Sequence, residues 1–501
     1  MNKIIIEKSP LNGRIMLPPS KSCMHRAIIC AALSSGRSTI GPIILSDDII
    51  RTINAVTALG AAVSLRKYEV RMTDSSMSAS VNGVLPQGIC KNDELKSGPV
   101  LHGEGQACPL PDDAGCTVTG SGSNANYLRE SNNLTDVRST DLMNNFSSSR
   151  LFFADITGIS IPETEADINC SESGSTLRFM IPVAAALGVN AHFTGSGRLP
   201  MRPLSIFTDT LPLHGVNFSG NMLPISISGR LTAGEYIIDG SVSSQFITGL
   251  LFALPMLDGS SSIKLSSPLQ SASYIDITID ILREFGINIE KTPDGYFIPG
   301  PQKYTACDYI VESDWSHSAF FIESAMIGGE IFMDGLKEKS VQGDIAVLDI
   351  ARRMGCDIAF AGSVLLCRHA KLRGTVIDAS DIPDLIPALA AAAAMADGQT
   401  RIINAGRLRI KECDRLSAVA EGLKALGAGV TEGQDSLTIT GVKALHGGKI
   451  NGYNDHRIVM AFAVLGSHIG SVEISDAGAV KKSYPDFFED FKALGGKYTV
   501  I

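Results

Sequence analysis

The chain has 501 residues, 44% hydrophobic and 19% charged, a balance that suits a folded protein of about two domains and excludes a disordered one. Its formal charge of −9 excludes whole-molecule attraction to nucleic acid or an acidic membrane, so an anion site must be a local concentration of cations. The longest apolar run, LIPALAAAAAMA (385–396), is too short to span a bilayer, and the ten cysteines form neither CxxC pairs nor clusters with histidine. The start, MNKIIIEKSPLNGR, lacks the full apolar core and cleavage site of a signal peptide, so a reduced, cytoplasmic protein is expected.

In chain order, one pattern recurs six times. A polar cluster opens an apolar, alanine-rich helix; a turn and a strand follow; a second, amphipathic helix ends at a glycine before the next strand. The first helices open at SKSCMHRAIICAAL (20–33), SGSTLRFMIPVAAAL (173–187), SSQFITGLLFALPML (243–257), DWSHSAFFIESAMIGG (314–329), DIPDLIPALAAAAAMADG (381–398) and NDHRIVMAFAVLG (454–466). The second helices end at Gly60, Gly215, Gly286, Gly355, Gly427 and Gly495, separated by 155, 71, 69, 72 and 68 residues. Each of these glycines is expected as a left-handed cap that ends its helix. First helices apolar all round are expected to be buried centrally, with the mixed second helices covering them. Six such units in two groups of three give an α/β chain of two similar lobes. No GxGxxG follows a strand, which argues against a dinucleotide-binding sheet.

The first separation exceeds the others by roughly 85 residues. The excess falls on residues 74–150, rich in Ser, Asn, Gly and Asp and without apolar periodicity. That composition predicts a flexible insertion between the first and second units.

The helix openings carry the chemistry. Helix N-termini present free N–H groups and partial positive charge, so parallel central helices would converge on an anion site. Lys21, Arg26, Arg178, Arg202, Lys411, Arg415, Arg457 and Lys482 stand around these openings, with Ser22, Ser175, Ser243, Ser244, Gln245 and Ser271 among them. Any one cation alone reads as a solvated surface charge, and Ser22 or Ser243 as an ordinary N-cap. On a helix, Lys411 and Arg415 would share a face, either as an anion site or as a surface ion-pair ladder with Glu412 and Asp414. Asn454 reads as a cap that places Arg457 in a first turn, a costly position unless an anion offsets it. Asp381 and Asp384 read as carboxylates at a helix start, where a cap is the ordinary role.

Together these motifs resemble the 5-enolpyruvylshikimate-3-phosphate synthase family. PPSKSxxxRAxxxAAL, ESGSTLRF, RPL, SSQFxTGLLFALP, YIDIT, IKECDRL, NDHRIVMAF and KKSYPDFF stand in the family's order, everywhere except about 74–150. The resemblance implies a two-lobed inside-out α/β barrel of six βαβαββ-type repeats. Residues 1–20 with 314–501 would form one lobe, and 21–313 the other. It implies transfer of the enolpyruvyl group of phosphoenolpyruvate to the 5-hydroxyl of shikimate 3-phosphate through a tetrahedral intermediate, releasing phosphate. It assigns Lys21, Ser22, Arg26, Ser243, Ser244, Gln245, Ser271, Asp384 and Lys411 to shikimate 3-phosphate, with Tyr274 near the ring. Phosphoenolpyruvate is assigned Lys21, Gly174, Arg202, Gln245, Arg415, Arg457 and Lys482. Asp384 is implied as proton acceptor, with Glu412 and Lys482 as further proton-transfer residues. No cofactor, metal, nucleic acid or membrane partner is implied, and a monomer is the family habit.

Two positions depart from the pattern. Arg407 stands where many members carry Asn, and Ser175 where others have Thr or Ala, which leaves sensitivity to the inhibitor glyphosate undecided. Two rival readings are a sister enolpyruvyl transferase acting on UDP-N-acetylglucosamine and a non-catalytic anion-binding relic. Ser22 after Lys21 argues against the first, since the sister family usually has Asn there. The retained Lys21, Asp384, Glu412, Arg415, Arg457 and Lys482 argue against the second.

Overall fold

The computed structural model describes residues 3–68 and 151–501, one compact unit; the predicted insertion at 74–150 lies outside the described residues. Among them stand six four-stranded sheets, all built alike. In each, one strand pairs in parallel with a second, which pairs antiparallel with a third, which pairs antiparallel with a fourth. Glu165–Asn169, Asn190–Thr194, Ile225–Gly229 and Val216–Phe218 show the pattern within one stretch of chain. The helix Gly174–Leu187 crosses over between the parallel strands, so the unit reads βαβαββ.

Three strands are borrowed across the sequence. Asn12–Met16 runs parallel to Glu330–Asp334, and Lys3–Ile6 lies between Val472–Ser475 and Tyr498–Val500. Tyr309–Ile310 completes the sheet of Arg37–Ile44. The two chain passages this requires lie side by side: Ser20 N–H donates to Glu312 O at 2.7 Å and Asp314 N–H to Pro18 O at 2.9 Å.

The buried apolar side chains form two clusters, one from Cys23 to Val311 and one combining Ile4–Leu17 with Trp315–Leu494. At the centre of each are the alanine-rich helices. All thirteen residues of Trp315–Ile327 are buried, as an all-round apolar helix requires. The helices Gly174–Leu187 and Ser244–Ala253 touch closely because Gly249 faces Arg178 O, where a Cβ would lie only 2.2 Å away. The covering helices are one-sided: Asp47–Ala58 buries Ile49, Ile50, Ile53 and Val56. The six repeat glycines all take positive φ, between 79° and 110°, the region a Cβ disfavours.

Candidate active site

Five of the six central helices open onto a single cleft. Lys21, Gly174 with Ser175, Ser244 with Gln245, and His456 with Arg457 are first-turn residues that line it, and Asp384 lies just ahead of Ile386–Ala393. The sixth helix, Trp315–Ile327, contributes through its cap: Asp314 Oδ2 accepts the Lys21 N–H at 2.9 Å. The caps are local consequences of sequence. Ser20, Ser173, Ser243, Asp314 and Asp455 each accept a hydrogen bond from a first-turn N–H. Ser20 caps where Ser22 was an alternative, because Ser22 is already helical. Likewise Asp455, not Asn454, caps His456–Ile469; Asn454 sits before it at φ 50°.

Eight cations line the cleft against three carboxylates, an excess of five positive charges on a chain whose net charge is −9. The cleft holds about 970 Å³, open solvent included. Such a surface is built for ligands carrying several negative charges.

Its centre is a carboxylate–guanidinium network. Arg415 is 1% exposed and reaches three acids: Asp455 Oδ2 at 2.7 Å, Asp384 Oδ1 at 2.8 Å and Glu412 Oε2 at 2.5 Å. Asp384 Oδ2 also accepts from Arg457 at 2.9 Å, and Lys411 Nζ lies 3.6 Å from Oδ1. The Tyr274 hydroxyl is 3.1 Å from Asp384 Oδ2 and 3.4 Å from Asp344 Oδ2, with one proton to give. Burial alone would raise the Asp384 carboxyl, but Arg457, Lys411, Arg415 and Lys21 hold it well below the carboxylate range. Glu412 is held low in the same way by Arg415 and Arg202, the latter 3.7 Å away. Burial and the Asp384 charge push Asp344 up to about 7, and burial brings the Lys411 ammonium down to about 8.

Most of the expected site residues meet here: Lys21, Ser22, Arg26, Gly174, Arg202, Ser243, Ser244, Gln245, Ser271, Asp384, Lys411, Glu412, Arg415 and Arg457 all line the cleft. Lys482 does not; its ammonium sits on Glu172 Oε2 at 2.8 Å and Asn454 O at 2.6 Å. Arg26 is braced against Thr278 Oγ1, Ser22 O and Tyr274 O, so only its remaining N–H groups are open to a ligand. Gly174 has a reason beyond ligand access: a Cβ there would lie 2.7 Å from Arg202 Nη1 and 2.9 Å from Arg178 Nη1.

Two local expectations are corrected. Lys411 and Arg415 do not share a helix face; Lys411 ends the turn Gly406–Ile410, and the helix begins at Arg415 behind the cap Asp414. They nevertheless converge, because both reach Asp384. Nor does Asp384 cap its helix, which has no side-chain cap; it neutralises arginines instead, and Asp381 accepts from Ala272 N–H at 3.2 Å. The Asp384 carboxylate, 2.9 Å from the Arg457 guanidinium, also resolves the cost of that arginine in a first turn. The departure at Arg407 places its guanidinium 2.7 Å from Ser271 Oγ, and Ser175 Oγ accepts from Gln245 Nε2 at 2.9 Å.

Sequence reasoning missed Asp48, 2.8 Å from Lys21 Nζ, and His456, buried beside Lys21 and Glu412. Asp48 gave no signal because an acid in a first helical turn is already explained by the helix dipole. Among the described residues, no group of three or more His, Cys, Asp or Glu side chains is arranged to hold a metal ion.

The family model described as EPSP synthase (3-phosphoshikimate 1-carboxyvinyltransferase) matches residues 5–86 and 153–491. The chain is 38% identical to the 3-phosphoshikimate 1-carboxyvinyltransferase of Clostridium novyi (strain NT) over 500 residues, and 38% identical to that of Clostridioides difficile (strain 630) over 502; each alignment covers 99% of this chain and 98% of the relative. Among solved structures, EPSP synthase from Acinetobacter baumannii superposes with a TM-score of 0.70 at 22% identity, covering all of both chains, a likeness of fold. The enolpyruvyl transferase NikO from Streptomyces tendae gives 0.66 at 14% identity, covering 99% of this chain and 98% of that one.

Proposed function

The chain belongs to the EPSP synthase family and transfers the enolpyruvyl group of phosphoenolpyruvate to shikimate 3-phosphate in aromatic biosynthesis; we propose that it does so in this cleft, with both substrates held at the inner helix ends. The observation that carries the reading is the convergence of five helix starts and five excess cations on one cleft. Dense, preorganised positive charge is what two multiply anionic reactants need in order to meet.

The division of labour follows the wall chemistry. Ser243, Ser244, Ser271 and Arg407, with Lys411, form a hydroxyl-and-cation end suited to shikimate 3-phosphate. Lys21, Arg202, Gln245, Arg415 and Arg457 face the smaller anion beside Gly174. Asp384, adjoining Tyr274 and Lys411, takes the proton of the 5-hydroxyl; Glu412, beside Arg202 and Arg415, serves the methylene carbon, joined by Lys482 once phosphoenolpyruvate draws its ammonium from Glu172. Against the cleft's own cations alone, Asp384 and Glu412 are poor bases because those cations stabilise their charge. Two bound anions neutralise those cations, which raises both carboxylates toward useful proton affinity. The two apolar clusters are proposed as lobes that close on the substrates. A monomer, the state the family resemblance implies, is the proposed form.

Phosphate release tests the reading: turnover is expected with phosphoenolpyruvate plus shikimate 3-phosphate and none with UDP-N-acetylglucosamine. The reverse preference would transfer the chain to the sister activity.

A pH effect follows from Lys411. Its ammonium is charged below about 8 and neutral above, so kcat/KM for shikimate 3-phosphate should fall as pH rises through about 8. The bound anion favours the charged form, so the matching limb in kcat lies at higher pH. Lys411→Met should remove the kcat/KM limb; a limb unchanged in that variant would assign it to another group.

A further inference from the structure

Lys482 is the expected phosphoenolpyruvate ligand that does not line the cleft, and its partners account for this. Its ammonium donates to Glu172 Oε2 at 2.8 Å and to Asn454 O at 2.6 Å, while Asn454 Nδ2 donates to Glu172 Oε1 at 3.0 Å. The three residues form a closed ring in which both carboxylate oxygens are used. The lysine and glutamate side chains are only 11% and 22% exposed.

The backbone holds this ring in place. Glu172 lies in the turn before Gly174–Leu187, where Ser171 has φ 48° and its N–H is held by Asn169 Oδ1 at 2.8 Å. Gly197 backs onto the carboxylate, and a Cβ there would fall 2.5 Å from Glu172 Cδ. Opposite, Asn454 adopts φ 50° next to the cap Asp455, whose carboxylate binds Arg415.

We propose that Glu172 is a built-in competitor for Lys482, holding the ammonium back from the cleft until phosphoenolpyruvate takes it over. This rests on Lys482 being a phosphoenolpyruvate ligand. Glu172 offers one negative charge, whereas the substrate offers a carboxylate and a phosphate, so the exchange runs toward substrate. The strength of the clasp is subtracted from substrate affinity, and it is lost equally from ground and transition states. The signature is therefore in KM and not in kcat.

Glu172→Gln keeps the shape and the Asn454 contact but removes the charge. It should lower the KM for phosphoenolpyruvate about threefold to tenfold, with kcat within twofold and the KM for shikimate 3-phosphate unchanged. Direct titration with phosphoenolpyruvate in the presence of shikimate 3-phosphate should show the same tightening. Lys482→Met should raise the phosphoenolpyruvate KM, and adding Glu172→Gln to it should have no further effect. If Lys482→Met leaves that KM unchanged, the ligand assignment fails and the proposal with it. If Lys482→Met raises it but Glu172→Gln raises it too, or leaves it unaltered, the lysine stands and the competitor role is overturned.

Discussion

Asp384→Asn is expected to reduce kcat by about 10²–10⁴ while the KM for shikimate 3-phosphate stays within a few-fold of its starting value, as loss of a general base would do. The asparagine keeps the size of the side chain and one of the two acceptor oxygens, which Arg415 and Arg457 now use separately, and Arg457 retains the backbone carbonyl of residue 384. What disappears is the group able to take the proton of the attacking hydroxyl. Removing a negative charge among Lys411, Arg415 and Arg457 also strengthens the attraction for anions, so binding has no electrostatic reason to weaken. Steady-state kinetics with both substrates, paired with titration of shikimate 3-phosphate alone, separates the two effects. A kcat within tenfold of the parent would remove Asp384 from the chemistry and leave it as a counter-ion.

Arg415→Met is expected to cost about 3–5 kcal/mol of stability and to abolish measurable turnover, because it takes the shared guanidinium from three buried acids, Asp455 above all. Asp455 is fully buried and Glu412 and Asp384 are mostly so; all three meet the same guanidinium. The pH dependence gives the prediction a sign. In the parent, Asp384 and Glu412 titrate below the range of the unfolded chain, so they add stability above that range, and the gain is lost as pH falls. In the variant their burial is less compensated, so the stability deficit should shrink as the medium is acidified. Urea denaturation of both proteins at pH 5 and pH 8 measures this. An equal midpoint at pH 8 would show that the network contributes nothing to the fold.

These two residues also mark how far the sequence could be read. Cations and hydroxyls at the starts of apolar helices were legible because capping and dipole effects act within one helical turn. Thus Ser243 was read as a cap, and Gly60 through Gly495 as helix ends. Where two capping residues were adjacent, as at Asn454 and Asp455, pattern alone chose the wrong one. The Arg415 network was not legible as a network. Its partners lie 31 and 40 residues away in sequence as well as 3, and nothing local distinguishes Asp384, an arginine partner, from a helix-start acid. Glu172 was passed over for the same reason, since its two partners are 282 and 310 residues distant.

By itself the sequence determined the six-fold repeat, the burial of the alanine-rich helices, and the residue types that gather at their ends, since each depends on periodicity or on contacts within a turn. The tertiary structure decided which acid faces which cation, and so which of the gathered groups are charged, committed or available. Those properties arise from distances between segments far apart in the chain, and at a few ångströms such distances set the balance between burial and pairing that no local pattern encodes.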